Sequence, residues 1–307
     1  MDELRTVGQV QARPTTTTGG VRPSLRGLVT RLEQARKLDG VSDRLVKVIA
    51  ALRRPQVVRD ALQGVWLGHP LHPSIVSVPI GSWLSAGVLD AVPGQERAAT
   101  VLVGTGLAAV PLTAAAGATD WSGLAPEQRR VGLVHATGNV VAAGLYAGSL
   151  WARLNSRTTL GRALGYLGLT VGGLSAYLGG HLSYKQAAQV SHAAEWLRLL
   201  PAGWQDLGGW AQIPDREPVT RTIGEVPVLV YRRGDDATVM IGHCAHHNGP
   251  LHEGERRTVD GADCMVCPWH GSTFRLADGG VVHGPAGVDQ TLLRTRVYDG
   301  RLQACVP

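Results

Sequence analysis

The chain has 307 residues, room for two domains of ordinary size, with four cysteines, eleven histidines and a formal net charge of +6. All of that charge lies in residues 1–68, where twelve Lys and Arg face six Asp and Glu, and the remainder balances at eighteen of each. A basic segment beside long apolar runs marks the cytoplasmic flank of a membrane protein, which sets nucleic acid aside as a partner; residues 1–22 have no apolar core and so no secretory signal.

Residues 1–25, with "PTTTTGG" at 14–20, read as a flexible tail. Residues 26–68 read as basic, interfacial amphipathic helices. In "SDRLVKVIAALRR" (42–54), Ser42 is the expected cap and Leu45, Val48, Ile49 and Leu52 form an apolar stripe opposite basic residues, a pattern suited to an anionic membrane surface. The Arg53–Arg54 pair is followed by Pro55 and charged residues, so it is not a twin-arginine export signal.

From 69 to 185 four apolar runs, near 74–92, 98–119, 131–151 and 163–182, each approach the roughly 20 residues that cross a bilayer. Asp90 and Arg162 sit at run ends, where polar side chains reach water. "GLYAG" (144–148) and "GLTVG" (168–172) are small-xxx-small pairs for close helix approach. Trp66, Trp121, Trp151, Trp196 and Trp204 fall at run ends, as interfacial anchors do. "GTGLAA" (104–109) imitates a dinucleotide fingerprint but lies within an apolar helix with no strand before it. The basic N-terminal flank, with Arg129, Arg130 and Lys185, outweighs Arg97, Arg153, Arg157 and Arg162 on the other side. Both termini are therefore expected in the cytoplasm, with four crossings of the plasma (inner) membrane. Residues 186–217 read as a linker helix, amphipathic over 183–200, with Trp196 at the interface.

The last part, 218–307, alternates like short strands with turns at "RGDD" and "DGG". It holds "CAHHNGPLHEG" (244–254) and "CPWHGSTF" (267–274). Cys244-x-His246 and Cys267-x-x-His270 supply two thiolates and two imidazoles from loops tightened by Gly249, Pro250, Gly254, Pro268 and Gly271. Such a set suits tetrahedral zinc, or a [2Fe–2S] cluster with cysteines on one iron and histidines on the other.

The stretch from about 219 to 307 resembles a Rieske [2Fe–2S] domain, with "CPWHGSTF" and "GPLHEG" carrying the match. The resemblance implies a small antiparallel β domain, cluster ligation by Cys244 and Cys267 on one iron, and by His246 and His270 on the other. The twenty-residue spacer, 247–266, is longer than usual in the family, which suggests an enlarged turn at "ERRTVDGAD". His247 stands next to the assigned ligand, and His243, His252 and His283 read as ordinary loop residues. Cys264 and Cys305 lie in strand-like runs as small core residues. Rieske domains of cytochrome bc complexes bridge their two ligand loops with a disulfide; here Gly249 and Trp269 occupy the matching places, which implies the ferredoxin-like branch and a lower potential. Ser272 occupies a position where a hydroxyl often bonds a bridging sulfide.

"GHPLHP" (68–73), with "PIG" and "GGHLSY" further on, resembles a bacterial four-helix membrane domain of unassigned function over about 60–190. His72, Asp120, His135 and His181 fall by helix parity at one membrane face, the cytoplasmic one. They are a candidate redox site for haem b, held by two histidines, or for a quinone head; helix capping and interhelical bonding are the plainer roles. The fold class expected is multi-domain: an α-helical bundle of four transmembrane helices, then a small antiparallel all-β Rieske domain. The expected function is a membrane-anchored iron–sulfur electron-transfer protein, a component of an oxidoreductase system more than a stand-alone enzyme, with the lipid bilayer and a redox protein or quinone as partners. A metal-stabilised sensor or interaction module, or a ferredoxin-like component of an oxygenase or reductase system, is the alternative. The chain ends after its final strand, so no oxygenase domain with a mononuclear iron site is expected.

Overall fold

In the computed structural model, which describes residues 25–52 and 55–307, a helical N-terminal region is followed by an antiparallel all-β domain. Nearly all of the expected tail, and Arg53–Arg54, lie outside the described residues. The helices are α1 (Leu25–Glu33), α2 (Asp39–Leu52), α3 (Gln56–Gln63), α4 (Leu71–Ile75), α5 (Ser77–Asp90), α6 (Glu96–Trp121), α7 (Pro126–Leu154) and α8 (Thr158–Tyr184). Ser42 is not a cap: α2 begins at Asp39, an acidic residue suited to a helix N-terminus, and Ser42 is buried within it. Asp39 also receives Arg130 Nε of α7 at 2.7 Å, which ties α2 to the long helices.

Val76 joins α4 to α5 with helical torsions, so the two run almost continuously. At 1.5 Å per residue the four long elements extend roughly 30–44 Å, against a hydrocarbon core of about 30 Å. Among the described residues one helix, Glu96–Trp121, is both long and apolar enough to cross a membrane by length and composition. The "GLTVG" pair acts as expected: a Cβ on Gly168 would meet the Tyr146 ring at 2.9 Å, and one on Gly172 would meet the Ala142 methyl at 3.8 Å, so α8 lies close on α7. In "GLYAG", Gly144 has nothing within reach.

Asp90 does not reach water. Arg153 Nη1 donates to Asp90 Oδ1 at 2.8 Å and both side chains are 2% exposed, while Arg162 Nη2 donates to Glu96 Oε1 at 2.7 Å. The fork geometry of guanidinium on carboxylate makes burial of both charges tolerable.

No α-helix forms in the expected linker, only short 3-10 stretches at Ala194–Leu199 and Trp210–Gln212. Ala187 and Gln189 adopt positive φ, which breaks the helix, and the apolar side chains find the β core instead of a membrane surface. Trp196 stacks on His243 with ring centroids 3.9 Å apart and donates to Asn248 Oδ1. Trp204 likewise belongs to the β domain, under the Arg296 guanidinium at 4.2 Å.

The β domain begins before 218, with β1 (Gln205–Gly209), whose glycines obscure the strand pattern and which pairs with the last strand. The others are β2 (Pro218–Ile223), β3 (Val226–Arg233), β4 (Asp236–Ile241), β5 (Glu255–Val259), β6 (Ala262–Val266), β7 (Thr273–Arg275), β8 (Val281–His283), β9 (Leu292–Tyr298) and β10 (Arg301–Cys305). They form a six-stranded sheet in the order β1-β10-β9-β4-β3-β2 and a four-stranded sheet in the order β5-β6-β7-β8. The spacer is no enlarged turn but the β5–β6 hairpin, closed by Asp260–Gly261 with φ of 48° and 78°, the positive values that a two-residue turn between twisted strands requires.

Candidate iron–sulfur site

Two loops leave the sheets at one end of the domain. The first follows β4 and carries Cys244 and His246; the second links β6 to β7 and carries Cys267 and His270. Each is closed by its own backbone. Cys244 N–H donates to Gly249 O at 2.7 Å and Asn248 N–H to Cys244 O at 2.9 Å, while Cys267 N–H donates to Ser272 O at 2.8 Å and Gly271 N–H to Cys267 O at 3.0 Å. Asn248 and Gly271 take positive φ to make these turns. Gln290, buried, braces the first loop: it accepts from Ala245 N–H at 3.0 Å and donates to the carbonyls of Ile241 and His243 at 2.6 Å each.

The four side chains meet pairwise. The free Cys244 and Cys267 side chains share a hydrogen bond, which pulls the Cys267 thiol below its ordinary value and pushes Cys244 up, with backbone N–H groups of Trp269 and His270 also favouring the Cys267 thiolate. The His246 and His270 rings stand edge to face at 5.1 Å. Burial, helped by the neighbouring imidazoles of His247, His270 and His192, pulls His246 down to about 3 and keeps it neutral. Ser272 is buried, bonds the Cys244 thiol and accepts Ala286 N–H at 3.0 Å. Gly249 and Trp269 do face one another, since a Cβ on Gly249 would approach the indole at 3.0 Å and Cys267 Sγ at 3.1 Å. His247 lies 5.5 Å from the His192 ring. Cys264 and Cys305 are buried in β6 and β10, as small core residues.

The helical region covers one side of this tip. His246 Nε2 is buried with no hydrogen-bond partner among the described residues and lies 3.7 Å from where a Cβ on Gly123 would stand, beside Pro285. Asp60 of α3 accepts His283 Nδ1–H at 2.8 Å and Gly284 N–H at 3.2 Å, and His192 N–H donates to Ala245 O at 2.9 Å. His270 and Trp269 are exposed. Asp60, Gly123, Pro285 and Gln290 carried no signal in the sequence, because each acts through a partner distant along the chain.

In the helical region three of the four expected residues, His72, Asp120 and His135, line one cavity of about 570 Å³ between α6 and α7. His181 is not among its walls; its Nε2 is drawn 2.7 Å from Glu33 Oε1 of α1. The Glu33 carboxyl is desolvated, but its bonds to His181 and Lys185 hold it below the usual range. His135 donates from Nδ1 to Ser175 O at 2.8 Å, and its Nε2 receives Asn139 Nδ2 at 3.0 Å. His72 Nδ1 lies 3.0 Å from Thr113 O.

The family model for the Rieske [2Fe-2S] domain matches residues 203–297, and one described as a predicted membrane protein (DUF2231) matches residues 68–192. The anthranilate 1,2-dioxygenase ferredoxin subunit of Burkholderia cepacia is 30% identical over 105 residues, covering 34% of this chain and 94% of that protein. Ferredoxin CarAc of Metapseudomonas resinovorans is 32% identical over 80 residues, covering 26% of this chain and 71% of that protein. The solved ferredoxin of carbazole 1,9a-dioxygenase from Nocardioides aromaticivorans IC177 aligns over 34% of this chain and 100% of its own, at 17% identity and a TM-score of 0.30. The chain belongs to the Rieske [2Fe–2S] family, with ferredoxin-like homologues, and joins that electron-transfer domain to a predicted membrane-protein domain. The cofactor the family implies is a [2Fe–2S] cluster, and the residues at the tip fit it: thiol faces thiol, imidazole faces imidazole, and His246 Nε2 turns to the helices, leaving Nδ1 for a metal.

Proposed function

We propose that the chain is a membrane-anchored, one-electron carrier whose [2Fe–2S] cluster is held by Cys244 and Cys267 on one iron and His246 and His270 on the other. When bound, the cluster supplies reversible one-electron transfer. The observation that carries the reading is the asymmetry of the tip: His246 is covered by the helical region at Gly123, while His270 and Trp269 stay open. A carrier needs one such open edge for a soluble partner. Gln290 and Ser272 fix the loops, so the ligand set moves little between redox states. Likeness to a dioxygenase ferredoxin subunit supports an oxygenase or reductase protein as that partner.

Anchoring is supported by apolar side chains facing outward on each long helix, among them Val88, Val101, Val140 and Leu174. We read four crossings, with both termini and the β domain in the cytoplasm, from the basic N-terminal flank. The test is an EPR spectrum of reduced membranes. A Rieske signal with a low average g-value is expected, lost in His270→Ala and kept in His247→Ala, and stoichiometric zinc without iron would overturn the assignment. For topology, a reporter at the C-terminus should be active in the cytoplasm and one after Gln95 outside; the reverse result refutes the orientation.

A further inference from the structure

We propose that the cavity between α6 and α7 binds a lipid-soluble aromatic molecule carrying a free hydroxyl, a hydroquinone or phenol, and that this hydroxyl is donated to His72 Nε2. The argument begins with a tautomer. A backbone carbonyl only accepts, so the 3.0 Å contact of His72 Nδ1 with Thr113 O requires the hydrogen on Nδ1. Nε2 of the neutral ring then carries a lone pair, and among the described residues no group donates to it. Space on Gly117 lets the ring lie flat on α6, since a Cβ there would stand 2.8 Å from His72 Nδ1. His135, on the other wall, has both nitrogens engaged, by Ser175 O and by Asn139, so a haem held by two histidines lacks its second open nitrogen. The cavity is lined mostly by apolar side chains, with Asp120, Asn139, Ser183 and Gln189 as further polar walls, and His72 Nε2 is the imidazole acceptor directed into it.

Size and surroundings narrow the occupant further. A volume of about 570 Å³ lies in the usual range for small-molecule sites. Leu45 and Ile49 of α2 close one side, whereas Val140 lines the cavity and is 71% exposed on the outer surface of the bundle. A ligand tail would leave across that apolar surface, which favours a lipid-soluble molecule. Asp120, Trp121 and Leu124 bound the cavity just before and after Gly123, the residue beside His246, so the occupant lies on the flank the cluster tip covers. This inference deepens the electron-carrier reading but its test does not need a redox-active cluster.

The experiment is isothermal calorimetry on the full chain in detergent, under argon, with a short-chain naphthohydroquinone, its dimethyl ether and the parent naphthoquinone. Saturable binding of the hydroquinone is expected, about three- to tenfold tighter than the ether or the quinone, which cannot donate to Nε2. His72→Phe should bind all three alike, and Ala136→Trp, which fills the space, should bind none, with the EPR signal of the cluster intact in both. No saturable binding by the unsubstituted protein, an ether bound as tightly as the hydroquinone, or a preference that persists in His72→Phe would overturn the proposal. Loss of the EPR signal with binding retained would instead strike at the electron-carrier reading.

Discussion

Asp60 is where the docking of the two domains can be measured. Its carboxylate holds both His283 Nδ1–H at 2.8 Å and Gly284 N–H at 3.2 Å, and its side chain is 16% exposed. Replacing it by Ala removes both hydrogen bonds across the contact, along with one from Gln56 Nε2 within α3, and leaves a half-buried amide and imidazole to find water. Each bond contributes about 0.5–1.5 kcal/mol net, so the loss for this partly exposed pair comes to about 1–2 kcal/mol. That corresponds to a roughly 5–30-fold shift toward the undocked arrangement. The assay is hydrogen exchange of the full chain in detergent, read at the peptides spanning 60–71 and 281–288. Exchange in both should rise by that factor in Asp60→Ala, while the amides of β3 and β4, far from the contact, stay protected. Gly284→Leu should act more strongly, since a Cβ there collides with the Gln63 carboxamide. If both variants keep native protection on both sides while the EPR signal persists, this contact does not hold the domains together.

Arg153→Leu should leave the buried Asp90 carboxylate without its guanidinium fork and cost about 3–5 kcal/mol, while the Asp90→Leu, Arg153→Leu pair recovers most of it; thermal melts in detergent check this, and equal melting of single and double variants contradicts it. Tyr231 ties the six-stranded sheet to the four-stranded sheet through its hydroxyl, which donates to Asp263 Oδ2 at 2.6 Å, so Tyr231→Phe should cost about 1 kcal/mol. That bond, ahead of Arg256, holds Asp263 below its ordinary 3.8, so the contribution is full above pH 4 and fades as pH falls through the lowered value. Burial and then Asp263 hold Tyr231 above its ordinary 10.0, so its share is full below pH 10 and fades as pH rises through the raised value. Denaturant melts against pH should show both slopes in the parent protein, the acid slope reduced and the alkaline slope gone in Tyr231→Phe.

What could be read in the sequence was chemistry packed into contiguous loops. Cys244, His246, Cys267 and His270 sit within two short motifs, and the turns that hold them are made by residues inside the same motifs, such as Asn248 and Gly271. The long helices were legible for the same reason, since an apolar run is a local property. Features that depend on distant partners were not. Asp90 looked like a residue ending a membrane run because nothing near it in the chain shows that Arg153 will fold onto it. Trp196 looked like an interfacial anchor because its actual partner, His243, is a loop residue 47 positions on. The strand at Gln205–Gly209 has three glycine or acidic positions in five and is a strand only because β10 pairs with it.

The path of the chain from α8 to β1 bears on how the cluster meets its partners. The segment between Tyr184 and Gln205 is not slack: His192 bonds the first ligand loop, Trp196 stacks behind it, and Gln189 donates to Asp120 O at 3.3 Å. A tether spent on packing holds the domain at a short range from the helices and raises the effective concentration of the tip there. It also restricts the swing by which a loosely tethered domain would visit several sites. With His246 turned inward against Gly123 and His270 turned outward beside Trp269, the two histidines face different surroundings without any rotation of the domain. On the proposed carrier reading, a soluble protein partner would come to the His270 edge, where the exposed Trp269 indole offers an apolar surface.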